Sequence, residues 1–121
     1  MSTIIPILRI YDYDKTIEFY VNWLGFKVDW EHRFEPNTPV FMQVSKGDIV
    51  LNLSEHHGDG SPNGRVRILN FKGLRDYHKS LTNPYYKYNR PGLETPAWDP
   101  SAINMTVIDP VGNRLIFEEK E

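Results

Sequence analysis

Glu55-His56-His57-Gly58-Asp59 is the densest run of groups that could bind a metal or move a proton. Imidazole is a frequent metal ligand and titrates near neutrality. Adjacent histidines on a strand, however, project to opposite faces and cannot grip one ion without an irregular backbone. A strand end turning into a loop, with Asp59 in an Asx-type turn, accounts for the same residues. Arg9 shares a strand face with Ile5 and Ile7, and Glu118 shares one with Ile116. A guanidinium there could grip an anionic ligand, or it could form an internal ion pair with Glu118 or another carboxylate. The rings of Trp30, His32, Phe34 and Trp98 could wall a pocket and stack on a flat heteroaromatic ligand. Trp30 and Phe34 equally suit a core or a dimer interface, whereas Trp98 stands in a loop with less reason to pack. No G-x-S-x-G elbow accompanies any of these residues, and His78 reads as an ordinary helix residue.

These residues must be positioned by elements that the pattern makes visible. Ile4 to Tyr11 reads as a strand, and Asp12 or Asp14 can N-cap the helix after it. Ile17, Tyr20, Val21 and Leu24 give that helix a buried stripe, and Gly25 can cap its end. Phe26 to Glu35 alternates: Phe26, Val28, Trp30, His32 and Phe34 face one way, and Lys27, Asp29, Glu31, Arg33 and Glu35 the other. After a turn over Pro36-Asn37-Thr38-Pro39, Val40–Ser45 and Asp48–Ser54 form a hairpin around Lys46-Gly47.

Gly58-Asp59-Gly60-Ser61-Pro62-Asn63-Gly64 is the strongest loop signal, and the pattern restarts beyond it. Arg65–Phe71 reads as a strand, Gly73–Leu81 as a helix carrying Leu74, Tyr77, His78 and Leu81, and Tyr85–Tyr88 as a short strand. A proline-rich loop spans Pro91–Pro100. Ile103–Ile108 and Arg114–Glu118 close with a hairpin that turns at Asp109-Pro110-Val111-Gly112-Asn113. Ile10 matches Phe71, and Leu51-Asn52-Leu53 matches Leu115-Ile116-Phe117, so the chain reads as a duplicated α+β domain. Its two βαβββ modules cover about 1–57 and 65–121, joined by a linker over 58–64.

The 121 residues suit one domain, and 40% hydrophobic content supports a core. A formal net charge of −2 gives no footprint for nucleic acid, the Tyr- and cation-rich Asn83–Arg90 segment included. The absence of cysteine removes disulfides, thiolate metal sites and cysteine nucleophiles. No run approaches a membrane span, and no signal-peptide pattern opens the chain, so a cytoplasmic protein is expected.

Pro6-Ile7-Leu8-Arg9-Ile10, then Ile17-Glu18-Phe19-Tyr20 leading to Leu24-Gly25-Phe26, and finally Asp109-Pro110-Val111-Gly112-Asn113-Arg114-Leu115 occur in an order and spacing that resemble the vicinal-oxygen-chelate superfamily. The resemblance spans essentially the whole chain. The stretch Leu51 to Gly60 resembles the bleomycin-resistance branch in particular, and Trp98-Asp99 matches a Trp-Asp stretch of that branch. The resemblance implies four strands per module around a half-funnel, with a ligand cleft.

Metal-dependent members place ligands on the first and last strands of each module. Carried over by spacing, those positions are Ile5, Asn52, Val66 and Ile116. Three aliphatic side chains and an amide are not donors for a divalent ion, so neither metal nor cofactor is expected. The implied protein is a homodimer that sequesters a glycopeptide-like or other amphipathic aromatic ligand, with Arg9, Trp30, Phe34, Asn52, Trp98 and Glu118 as ligand-binding residues. Bleomycin is cationic, and a charge of −2 attracts it only weakly. Two other readings are an enzyme with a metal displaced to His32, His56 or His57 with Glu118, and a non-catalytic metabolite sensor.

Overall fold

The computed structural model describes residues 2–83 and 86–121. The fold is α+β, with two separate sheets and few helices. Contacts divide it into two compact units: residues 1–64 with 109–113, and residues 65–108 with 114–121.

In the first unit, β1 (Ile7–Arg9) leads through Asp12 into α1 (Tyr13–Ile17). Asp12 accepts from the Lys15 backbone N–H at 3.1 Å, so it is the N-cap. The helix then widens into a π-helical stretch over Glu18–Trp23, where Leu24 N–H bonds to the Phe19 carbonyl. This wider turn shifts the expected stripe. Phe19, Tyr20 and Leu24 are buried, while Ile17 and Val21 are only half-buried. Gly25, with φ at +87°, reverses the chain after the helix.

Three antiparallel strands follow: β2 (Lys27–His32), β3 (Phe41–Lys46) and β4 (Ile49–Ser54). The sheet order is β1-β4-β3-β2, with β1 parallel to β4. Leu8, Met42, Val44, Leu51 and Leu53 form the buried face with the helix residues Phe19 and Tyr20. The expected alternation of β2 breaks at Asp29. Val28 pairs with Val44 and Trp30 with Gln43, so two steps on β2 oppose one on β3. This bulge puts Val28 and Trp30 on opposite faces and lets Asp29 reach the open face beside Trp30.

In the second unit, β5 (Arg65–Ile68) is followed by α2 (Leu74–Thr82), β6 (Ala102–Ile108) and β7 (Arg114–Lys120), with sheet order β5-β7-β6. Leu74, Leu81, Ile103, Met105, Val107, Leu115 and Phe117 form its core. The short strand expected over Tyr85–Tyr88 is not formed: Tyr86–Tyr88 lie in a turn, and Tyr85 falls outside the described residues. Glu94 instead bridges Asn104 on the outer edge of β6. Prolines 91, 96 and 100 in this segment lack the N–H that a continuous ladder requires.

The internal duplication recurs in the hydrogen bonds. Ile10 N–H bonds to the Ser54 carbonyl at 2.9 Å, and Phe71 N–H bonds to the Glu118 carbonyl at 3.0 Å. Among the described residues, no helix is long and apolar enough to cross a membrane.

Candidate functional site

The open face of the first sheet is built by strand register. Ile7 sits opposite Asn52, Asn52 opposite Gln43, and Gln43 opposite Trp30. The next row runs Arg9, Ser54, Phe41 and His32. Trp30 stacks on Phe41 at 5.8 Å between centroids and keeps 42% of its surface exposed. Asn52 is buried to 9% exposure and donates to the Gln43 carbonyl oxygen at 3.2 Å. Gln43 in turn donates to Asp29 at 3.1 Å, and the Ser45 hydroxyl donates to Asp29 at 2.9 Å. Those two bonds, Gln43 first, hold the Asp29 carboxyl below its ordinary pKa. A flat ring beside an ordered polar row is a surface for an amphipathic ligand.

Arg9 lies on this face with its guanidinium 4.8 Å from the Tyr11 ring centre, donating to the Glu55 carbonyl at 2.7 Å. Phe34 stands just beyond β2 with 77% of its surface exposed, edge-on to His32 at 4.9 Å and to His56 at 5.9 Å. It is not part of the first unit's core. The Glu55–Asp59 run is a strand end. Glu55 accepts from the Val40 N–H, and the Ser54 hydroxyl donates to the Asp59 carboxylate.

The second sheet presents a different open face. Arg65 pairs with Arg114, and Arg67 with Ile116; along β6, Ile108 pairs with Arg114 and Thr106 with Ile116. Glu118 points to the same side and is 6% exposed. Its ion-pair partner is Arg67, at 3.6 Å, on the neighbouring part of the same sheet. Within its own unit Glu118 pairs with Arg67, and within its own unit Arg9 engages the Glu55 carbonyl. Glu118 Oε1 is buried and has no hydrogen-bond partner among the described residues. Trp98, 70% exposed, lies 5.7 Å from the Arg67 guanidinium carbon. Trp98 and Glu118 thus both adjoin the Arg67 guanidinium.

The expected metal positions are corrected at one place. Val66 pairs with the buried Leu115 and lies on the core side, whereas Ile116 is on the open face. Counting back from Phe71 passes one extra residue, Asn70, which is held in the left-handed region with φ at +59°. Arg65 consequently stands where Val66 was expected. The open-face positions on β4, β5 and β7 are then Asn52, Arg65 and Ile116, with Ile5 just ahead of β1. An arginine is a still poorer metal donor than a valine is a neutral one, since it repels the ion. Among the described residues no three His, Asp or Glu side chains converge on a point that could hold a metal, His32, His56, His57 and Glu118 included. The donor set does not fit the divalent ion of the metal-dependent members.

Register also adds residues that the sequence pattern did not single out. Phe41 and Gln43 were legible as one face of β3, but their joining with Trp30 and Asp29 depends on the bulge. Arg65, Arg67 and Arg114 alternate along two strands, so their common face was available from the β5 and β7 sequences.

The chain belongs to a family described as glyoxalase superfamily protein, whose model matches residues 1–121. Its fold is that of the glyoxalase, bleomycin-resistance and dioxygenase superfamily. A bleomycin resistance determinant encoded on transposon Tn5 superposes with a TM-score of 0.73 at 20% identity, over 100% of this chain and 99% of that one. A bleomycin-binding protein complexed with bleomycin gives 0.66 at 21% identity, covering 100% of both chains. An antibiotic-binding protein from a Streptomyces species gives 0.71 at 16% identity, over 100% and 98%. No match was found among curated protein sequences.

Proposed function

We propose that this protein is a metal-free binder that sequesters an amphipathic aromatic small molecule, making and breaking no bond in it. The observation that carries this reading is Trp98, a loop tryptophan 70% exposed and backed by a guanidinium, on a sheet face where no three metal-donor side chains converge among the described residues. An exposed indole offers a large rigid stacking surface at little entropic cost. Trp30, stacked on Phe41 above the Asn52–Gln43–Asp29 row, offers a second such surface. The similarity in fold to bleomycin-binding and antibiotic-binding proteins supports the same reading, and bleomycin-type glycopeptides are its first ligand class. We read the working form as a homodimer in the cytoplasm.

Calorimetric titration of metal-free and copper-loaded bleomycin into metal-assayed protein tests the proposal. Saturable binding near one drug per chain supports sequestration. Trp98→Ala then weakens binding by about tenfold or more, because stacking of this kind contributes roughly 1–3 kcal/mol. Unchanged affinity in that variant removes Trp98 from the site. No heat with either drug form removes bleomycin as the ligand class.

A further inference from the structure

The open face of the second sheet has a charge arrangement that folding alone leaves unexplained. Arg65 on β5 and Arg114 on β7 are register partners in a parallel pair, so two guanidinium-bearing side chains stand directly opposite on one face. Like charges so placed destabilise a sheet. Both residues are exposed, and among the described residues neither has a carboxylate partner. Arg67, two positions along β5, shares the face; it is the one arginine of the three with a carboxylate, Glu118 at 3.6 Å. Nearby acids are engaged elsewhere. Asp99 pairs with Lys120 at 3.6 Å and accepts from Ser101. Glu119 points to the helix side and caps the start of α2 through the Gly73 and Leu74 N–H groups.

We infer that this face takes a flat aromatic ligand carrying an oxyanion, with Arg65 and Arg114 gripping the anion and Trp98 stacking on the ring. The inference rests on the reading of the Trp98 face as a ligand-binding face, and for that face it replaces the cationic bleomycin class by an anionic one. Guanidinium forks match the planar geometry of a carboxylate and the oxygens of a phosphate, and two of them are carried here by directly opposed positions. Glu118 holds Arg67 under the Trp98 ring, which fixes the stacking surface next to the cationic pair. Ile108 beside Arg114, and Ile116 beside Arg67, are apolar neighbours on the same face. The carboxylates of this face, Glu118 and, across Asn104, Glu94, lie two register rows from Arg114 and Arg65, so a cationic group is disfavoured at the arginine pair.

The test uses four probes of one shape: naphthoate, naphthyl phosphate, neutral naphthamide and naphthylmethylammonium. Each is titrated by calorimetry into the full chain, into the Arg65→Gln/Arg114→Gln double variant and into an Arg114→Lys control. The expected result is that at least one anion binds about tenfold more tightly than the amide, with the ammonium weakest. The stronger of naphthoate and naphthyl phosphate identifies the oxyanion. In the double variant the anion falls to the level of the amide, and Arg114→Lys retains part of the preference. Raising the salt concentration weakens the anion and leaves the amide unchanged. If the amide or the ammonium binds as well as both anions, or if the double variant keeps the preference while folded by circular dichroism, the charge inference is overturned and ring binding stands. If no probe binds the wild type, both the inference and the ligand-binding reading of this face fall.

Discussion

Asn113 is the residue on which the first unit depends most for its polar interior. It is fully buried, and its side chain makes three bonds: it donates to the Arg9 carbonyl at 2.8 Å and to Asp109 at 2.9 Å, and accepts from Gly64 N–H at 2.8 Å. Asp109 is also buried and accepts from the Tyr20 hydroxyl at 2.7 Å. Asn113→Ala leaves a carbonyl, an N–H and a carboxylate short of partners, at a cost of about 3 kcal/mol in urea unfolding. Asn113→Asp costs at least as much, since it replaces a donor with a second buried carboxylate beside Asp109. The same group sets the alkaline limit of the fold. Burial, and then the Asp109 charge, raise the Tyr20 pKa well above its ordinary 10.0, and burial raises that of Tyr77. The folded state holds both phenols neutral, so their contribution is complete below pH 10.0 and is lost as pH rises through the folded values. Unfolding midpoints should be level from neutrality to about pH 10 and fall beyond it, and Tyr20→Phe should make that fall shallower. The Asp109–Asn113 turn was legible as a hairpin turn. Its role as a clasp was not, because two of its partners, Gly64 and Arg9, lie 49 and 104 residues away.

At the scale of elements, the turn chemistry separates two glycines that the sequence presents alike. Gly47 closes the β3–β4 hairpin at φ +59° with nothing within 4 Å of a built Cβ. Gly112 sits at φ +94°, and a Cβ there would lie 2.2 Å from Asn63 Oδ1. Gly47→Asn should change stability by less than about 0.5 kcal/mol, since Asn tolerates the left-handed region. Gly112→Ala should cost about 2 kcal/mol or more, from backbone strain and displacement of Asn63 together. Equal thermal shifts for the two would mean that the Asn63 contact relaxes without cost. The strands themselves were largely legible from alternation and turn residues, and failures occur where one residue is added or a helix is widened. The bulge at Asp29, the extra Asn70 and the π-helical turn over Glu18–Trp23 each change which side chain faces inward by one position. Periodicity counts residues and cannot see a residue that the pairing skips. For that reason Val28 and Trp30, which alternation puts on one face, lie on opposite faces, and Val66, which spacing puts at a cleft position, faces the core.

For the molecule as a whole, duplication was legible because both halves repeat strand, helix and hairpin in one order, and the matching Ile10–Ser54 and Phe71–Glu118 bonds follow from it. A homodimer is implied by the resemblance, and the structure adds which apolar residues remain uncovered and could support it. In the first unit Ile7, Tyr11, Trp30 and Phe34 are 48%, 56%, 42% and 77% exposed. Several of these lie on or next to one open sheet face, where isolated apolar residues would need no explanation but a group suggests a partner. Strand β2 is one of the two edges of that sheet, and it carries Lys27, Asp29 and Glu31, charges that discourage strand-to-strand addition. Contact through the face rather than the edge closes on itself as a two-fold dimer and does not propagate. Sedimentation equilibrium at micromolar concentration should therefore give twice the chain mass. Phe34→Glu, at an exposed position that contributes little to the fold, should shift the population toward the single chain without lowering the unfolding midpoint measured at high dilution. A single-chain mass for the wild type would mean that this face is left open for ligand alone, and would remove the dimer from the proposed working form.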